Sequence, residues 1–94
     1  MSLSGKTALI TGSTSGIGLA IATGLAAQGA NIMLNGFGDA GEIEKVRSGL
    51  AAQHGVEVRF NGADLTKADQ IAALIKEIDD KLGGGDILVN NAGI

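Results

Sequence analysis

The stretch Thr7-Ala8-Leu9-Ile10-Thr11-Gly12-Ser13-Thr14-Ser15-Gly16-Ile17-Gly18, TALITGSTSGIG, joins a short apolar run to a loop of glycines and hydroxyls. Ala8-Leu9-Ile10 reads as a strand covered on both faces, because an unbroken apolar run leaves neither face for water. Gly12, Gly16 and Gly18 follow that strand and open a helix over 16–28, with Ile17, Ile21 and Leu25 at four-residue intervals and Gly29 closing it. The amides of Ser13 to Ile17 then surround a point at a helix N-terminus, where unpaired N–H groups favour negative charge. A pyrophosphate fits that point. The spacing is G-x-x-x-G-x-G without the Lys-Ser/Thr ending of a P-loop, which argues against γ-phosphate chemistry. A plainer reading gives the glycines only a tight turn and close helix–strand packing. The hydroxyls of the loop are donors beyond what such a turn requires.

Three more apolar runs, Asn31 to Asn35, Val56 to Phe60 and Asp86 to Asn90, read as strands beside Thr7 to Thr11. The spacing predicts a second helix opening at Asp39, where Asp39 and Glu42 stand at capping-box distance and Ile43, Val46 and Leu50 form its stripe. It ends near His54-Gly55. A third helix opens at Thr66, with Asp69 three residues on and Ile71, Leu74, Ile75, Ile78 and Leu82 on one face before the glycines from Gly83. The string β-α-β-α-β-α-β over 1–94 is a single α/β unit with a parallel sheet. With two helices on one face and the third crossing back over the first strand, right-handed crossovers give the strand order 3-2-1-4. Ligands of open parallel sheets bind where the order reverses, at the carboxyl ends of the strands. The glycine loop and Asn90-Asn91-Ala92-Gly93 both line that crevice.

Composition narrows the partners. A net charge of −3 at pH 7 gives no electrostatic reason to expect nucleic acid or an anionic membrane. The chain has no cysteine, hence no disulfide or thiolate chemistry, and its first apolar run is too short for a secretory or membrane segment. A cytoplasmic protein is the expectation. His54, the single histidine, reads as an exposed residue beside a helix cap rather than a base. Asp79-Asp80 reads as a solvated face, since neighbours on a helix point in different directions.

With the loop TGSTSGIG at one station and NNAG at the other, the chain resembles the short-chain dehydrogenase/reductase family, whose Rossmann-type fold this topology matches. More narrowly, LNGFGDA, EIEKVR, LAAQHGV and ILVNNAGI are similar to its bacterial D-3-hydroxybutyrate dehydrogenase branch. The resemblance covers essentially all of this chain and the amino-terminal part of such enzymes. It implies that Gly12, Ser13, Thr14, Ser15, Gly16, Ile17 and Gly18 cradle a dinucleotide, and that Asp64 and Leu65 hold the adenine. Asp64 also suits a turn-ordering role before the third helix. Asn91, Ala92 and Gly93 would approach the adenosine ribose, with Asn90 tying strands together, although a structural role suits both asparagines.

Where many dinucleotide sites carry an acid at the end of the second strand, this chain reads NGFGD, with Phe37 nearest. Phe37 is a cofactor contact or a packing residue at the helix entry. No Arg or Lys lies in 11–18 or 35–39, and Asp39 would repel a 2′-phosphate, so NAD is favoured over NADP. The family's Ser and Tyr-x-x-x-Lys have no counterpart in a chain without tyrosine. The expectation is an NAD-dependent oxidoreductase's cofactor-binding part, inactive alone. The alternatives are a stand-alone nucleotide-binding module and a self-assembling Rossmann fragment. The edge carrying Ile87, Leu88 and Val89 makes self-association, as a homo-oligomer or through that strand, the expected behaviour.

Overall fold

A computed structural model describes residues 2–91. The elements are β1 (Thr7–Ile10), α1 (Gly16–Ala27), β2 (Asn31–Asn35), α2 (Ala40–His54), β3 (Val58–Asn61), α3 (Ala68–Leu82) and β4 (Ile87–Val89). The strands form one parallel sheet in the order β3-β2-β1-β4, as the crossover argument requires.

Side-chain alternation along the strands divides the core. Ala8, Ile10, Ile32 and Leu34 point to the face covered by α1 and α2, where they meet Ala22, Ala26 and Leu50. Leu9 and Met33 point to the other face and meet Leu74, Ile78 and Leu82 of α3. The continuous apolar runs are therefore read by two separate layers, one per face. The face under α3 is less completely covered: Ile71 and Ile75 on the helix and Leu88 on β4 remain exposed.

The helix ends follow local chemistry. After α1 the amides of Gly29 and Ala30 bond the carbonyls of Ala26 and Leu25, and Gly29 sits at φ 94°, a Schellman ending for which glycine is suited. The side chain of Asp39 accepts from the Glu42 amide at 3.0 Å to start α2, and Gly55 ends it in the left-handed region. Strand β4 has three residues, and its entry is clamped: Asp86 Oδ2 accepts from the Thr7 amide at 3.0 Å and the Asp86 amide bonds the Thr7 carbonyl.

Two boundaries differ from the sequence reading by more than one residue. Pairing of β3 begins at Val58 and not Val56, because the Asn31 side chain takes the Glu57 amide and the Ile32 amide takes the Glu57 carbonyl, while Val56 packs on the core from the preceding turn. Helix α3 begins at Ala68 and not Thr66, because Asp64 captures both the amide and the hydroxyl of Thr66 in a turn of its own. His54 ends α2 as expected, but it is half-buried, and its Nε2 is enclosed without a hydrogen-bond partner. No helix among the described residues is long and apolar enough to cross a membrane.

Candidate dinucleotide site

The carboxyl rim of the sheet carries positive-φ glycines at 12, 16, 36 and 38. After β1, Gly12 and Gly16 adopt φ 62° and 61°, the left-handed region that side chains avoid. They bend the chain so that α1 begins under the rim. Gly18, on the first turn, has a different reason to be glycine: a Cβ there would collide with the Gly12 carbonyl and lie 2.7 Å from Asn91 Nδ2. A Cβ on Gly16 would meet no protein atom within 4 Å, so the space above it is open.

Three of the loop's four hydroxyls are engaged with the protein itself. Thr11 Oγ1 accepts from the Asn91 amide at 2.9 Å, binding β1's end to β4's. Ser13 is fully buried; its hydroxyl donates to the Ile10 carbonyl at 2.7 Å and accepts from the Asn35 amide, while its own amide bonds the Asn35 carbonyl. Thr14 Oγ1 donates to the Phe37 carbonyl at 3.1 Å. These hydroxyls are therefore what the turn does need, and Ser13 pins the loop rather than facing its interior. The exception is Ser15. It occupies the N-cap of α1 yet its side chain makes no capping bond, and the first turn carries no acidic residue. The amides of that turn have no intrahelical acceptors.

The opposite bank is built by two asparagines paired across the sheet, Asn35 and Asn61. Buried Asn35 donates from Nδ2 to the carbonyls of Asn61 (3.0 Å) and Ala63 (3.1 Å). This bond pair holds the turn that presents Asp64 and Leu65. Asp64 Oδ1 accepts from the Thr66 hydroxyl at 2.7 Å and its amide at 2.9 Å, and these bonds, the hydroxyl's first, hold its carboxyl below the ordinary value.

Between the banks lies a cleft of about 510 Å³, lined by Gly12, Thr14, Ser15, Asn35, Gly36, Phe37, Ala63, Asp64, Leu65, Thr66 and Asn90. It brings together six of the residues singled out in the sequence: Gly12, Thr14, Ser15, Phe37, Asp64 and Leu65. Gly16 and Ile17 start α1 beside it, both exposed. Ser13, Gly18 and Asn91 lie behind the wall; Asn91 Nδ2 donates to the Gly12 carbonyl at 3.1 Å. Asn90 lines the cleft and its Oδ1 accepts from the Thr11 hydroxyl at 3.4 Å, so both asparagines tie the end of β4 to that of β1, the structural role that suited both. Ala92 and Gly93 lie outside the described residues. Phe37 is 74% exposed at the rim, so it does not serve as a packing residue at the helix entry. No group of metal-ligating side chains occurs among the described residues.

Open first-turn amides, free space above Gly16 and a carboxylate on the far bank form a cradle suited to a phosphate-bearing ligand with a hydrogen-bonding base. The sequence profile described as short chain dehydrogenase matches residues 6–94. The chain belongs to the short-chain dehydrogenase family. It is 58% identical over 92 residues to the D-beta-hydroxybutyrate dehydrogenase of Cupriavidus necator, covering 98% of this chain and 35% of that protein. Identity to the enzyme of the same name from Rhizobium meliloti is 55% over 89 residues, covering 95% of this chain and 34% of the relative. The chain therefore spans about a third of the length of these curated relatives. The crystal structure of L-sorbose reductase from Gluconobacter frateurii, complexed with NADPH and L-sorbose, superposes with a TM-score of 0.89 at 41% identity, over 100% of this chain and 36% of that one. A metagenomic short-chain oxidoreductase in complex with NADP gives a TM-score of 0.87 at 38% identity, over 100% of this chain and 42% of that one.

The sequence reading missed Asn35, Asn61 and Ala63. The available signal was two asparagines at the last positions of neighbouring strands, where aliphatic residues are the usual occupants.

Proposed function

We propose that this chain is the NAD-binding amino-terminal portion of a short-chain dehydrogenase that, at full length, oxidises 3-hydroxybutyrate to acetoacetate. The observation that carries the binding half is the N-terminus of α1, left without a side-chain cap beside the 510 Å³ cleft. The amides of Gly16, Ile17 and Gly18 and the hydroxyl of Ser15 hold the pyrophosphate. Asp64 uses Oδ1 for its turn and keeps Oδ2 for the adenine amine; the Leu65 amide meets a ring nitrogen. Phe37 covers the adenosine at the rim. When bound, the nicotinamide supplies the hydride acceptor.

NAD is favoured over NADP because no Lys or Arg lines the cleft among the described residues, while Asp39 and Glu42 line an adjoining hollow that shares Thr14, Ser15 and Phe37. The NADPH and NADP of the solved relatives belong to those proteins. The substrate half rests on the identity to the two hydroxybutyrate dehydrogenases. A chain without tyrosine holds nothing equivalent to the family's proton donor, so these residues bind cofactor without turnover. The exposed Leu88, Ile75 and Ile71 lead the isolated chain to self-associate, which sedimentation over a concentration series reads directly.

Calorimetric titration of NAD, with NADP and ATP as competitors, tests the reading. Saturable binding, NAD over NADP, is expected, and Gly16→Val abolishes it because φ 61° excludes a β-branched residue and its side chain enters the ligand's space. A folded chain that ignores NAD sinks the binding claim. NADH production from hydroxybutyrate by the bare chain sinks the claim of inactivity.

A further inference from the structure

The cleft's far bank is held from a distance. Asn61 accepts on Oδ1 from the Ala63 amide at 2.9 Å and donates from Nδ2 to Glu77 Oε1 on α3 at 2.9 Å. Glu77 Oε2 accepts from Arg59 Nε at 2.9 Å, and Arg59 also pairs with Glu57 at 3.7 Å. The Asn61 amide is thereby fixed in one orientation: its oxygen must face Ala63 because its nitrogen faces a carboxylate. With Asn35 gripping the Asn61 and Ala63 carbonyls from the other side, the turn is held at both of its polar faces. Glu77 is three-quarters buried, an unusual setting for a carboxylate whose partners are an arginine and an amide. Burial acts to raise its value, yet the bonds from Arg59 and Asn61 outweigh this and hold it below the ordinary range.

We propose that Glu77, acting through Asn61, is a positioning residue that sets the Ala63–Leu65 turn and hence the affinity of the cleft for the adenosine end of its ligand. The hydrogen bond to Asn61 links Glu77 to the turn. This inference rests on the adenosine assignment above for its binding consequence, and on geometry alone for the turn.

The test compares the unmodified chain with Glu77→Ala, Glu77→Gln and the exposed-helix control Lys76→Ala, reading amide hydrogen exchange and titrations of AMP and nicotinamide mononucleotide. Glu77→Ala is expected to speed exchange at Ala63 about tenfold beyond any change at Leu9 and Ile10, and to weaken AMP by about tenfold while sparing nicotinamide mononucleotide. Glu77→Gln retains an acceptor for Asn61 and recovers most of both. Exchange at Ala63 that rises only in step with β1 overturns the proposal, as does an unchanged AMP affinity in a chain that binds AMP. If the unmodified chain binds neither nucleotide, the adenosine assignment falls, and the exchange ratio alone decides the positioning role.

Discussion

Helices α1 and α2 lie on the same face of the sheet and begin in opposite ways. Asp39 caps α2 with its own carboxylate and Glu42 adds charge to the first turn, so the helix satisfies its N-terminus from within. Helix α1 has an N-cap serine that bonds nothing, no acid in its first turn, and glycine at two of its first three positions. Taken by propensity, α1 should be the weaker start, yet it stands where three strand ends converge and where the loop is tied by Thr11, Ser13, Thr14 and Asn91. The contrast teaches that a loop tied by side chains can leave its helix start without a side-chain cap. A self-capped helix start would be more stable but would have no use for an anion.

The largest effect should come from the tie that makes the loop rigid. Gly18→Val places a side chain against the Gly12 carbonyl and in the space of Asn91 Nδ2, so either α1 withdraws from the loop or the bond between Asn91 and Gly12 is lost. Overpacking at a backbone contact of this kind costs about 3 kcal/mol, a large share of a small domain's stability. Thermal unfolding by circular dichroism should show a drop of well over 10 °C, or no cooperative transition at all. A variant that melts with the unmodified chain would remove the rigidity from the comparison.

Ser15→Asp acts on the uncapped start instead. The carboxylate can accept from the free first-turn amides and favours the helix dipole, so stability should rise by about 0.5–1 kcal/mol. NAD affinity should fall at least tenfold, because the amides are taken and the new charge repels phosphate. The reverse change, Asp39→Ala on α2, should cost about 1 kcal/mol and leave NAD affinity nearly unchanged. Stability and affinity moving in the same direction in Ser15→Asp would mean that phosphate does not bind at this helix start.

The parts of this design that could be read from sequence are those with a local code. Unbroken apolar runs give strands covered on both faces, the four-residue stripes give helices, and the crossover rule then orders the sheet. Glycine at 12, 16 and 18 could be read as close approach, and Asp39 with Glu42 as a cap. What could not be read is which polar group meets which. Ser13 looked like a loop donor, but its partners Ile10 and Asn35 become adjacent only when β1 and β2 pair. Asn61 and Glu77 are 16 residues apart, with no periodicity linking them. Thr66 had the spacing of a helix cap, but its amide and hydroxyl both go to Asp64 and α3 starts from Lys67 with no side-chain cap.

Asp64 offers the smallest and most local test, because its carboxylate orders a turn much as Asp39 orders a helix start, yet it also lines the cleft. Its value is lowered in the folded chain by the Thr66 hydroxyl first and the Thr66 amide second, so the contribution is complete above the unfolded value and is lost as pH falls through the folded one. The turn should therefore hold throughout neutral pH and loosen only as pH falls below the ordinary aspartate range. Residue-resolved carbonyl NMR should show Asp64 titrating below an ordinary aspartate, and Thr66→Val should move it back toward one. If adenosine is held by the second oxygen, AMP affinity will be flat at neutral pH and will fall in acid together with the Asp64 signal. In Thr66→Val that fall should begin at a higher pH, while thermal stability at pH 7 changes little. An AMP affinity that ignores the Asp64 titration would assign the carboxylate to the turn alone, making it the counterpart of Asp39 rather than of the open start of α1.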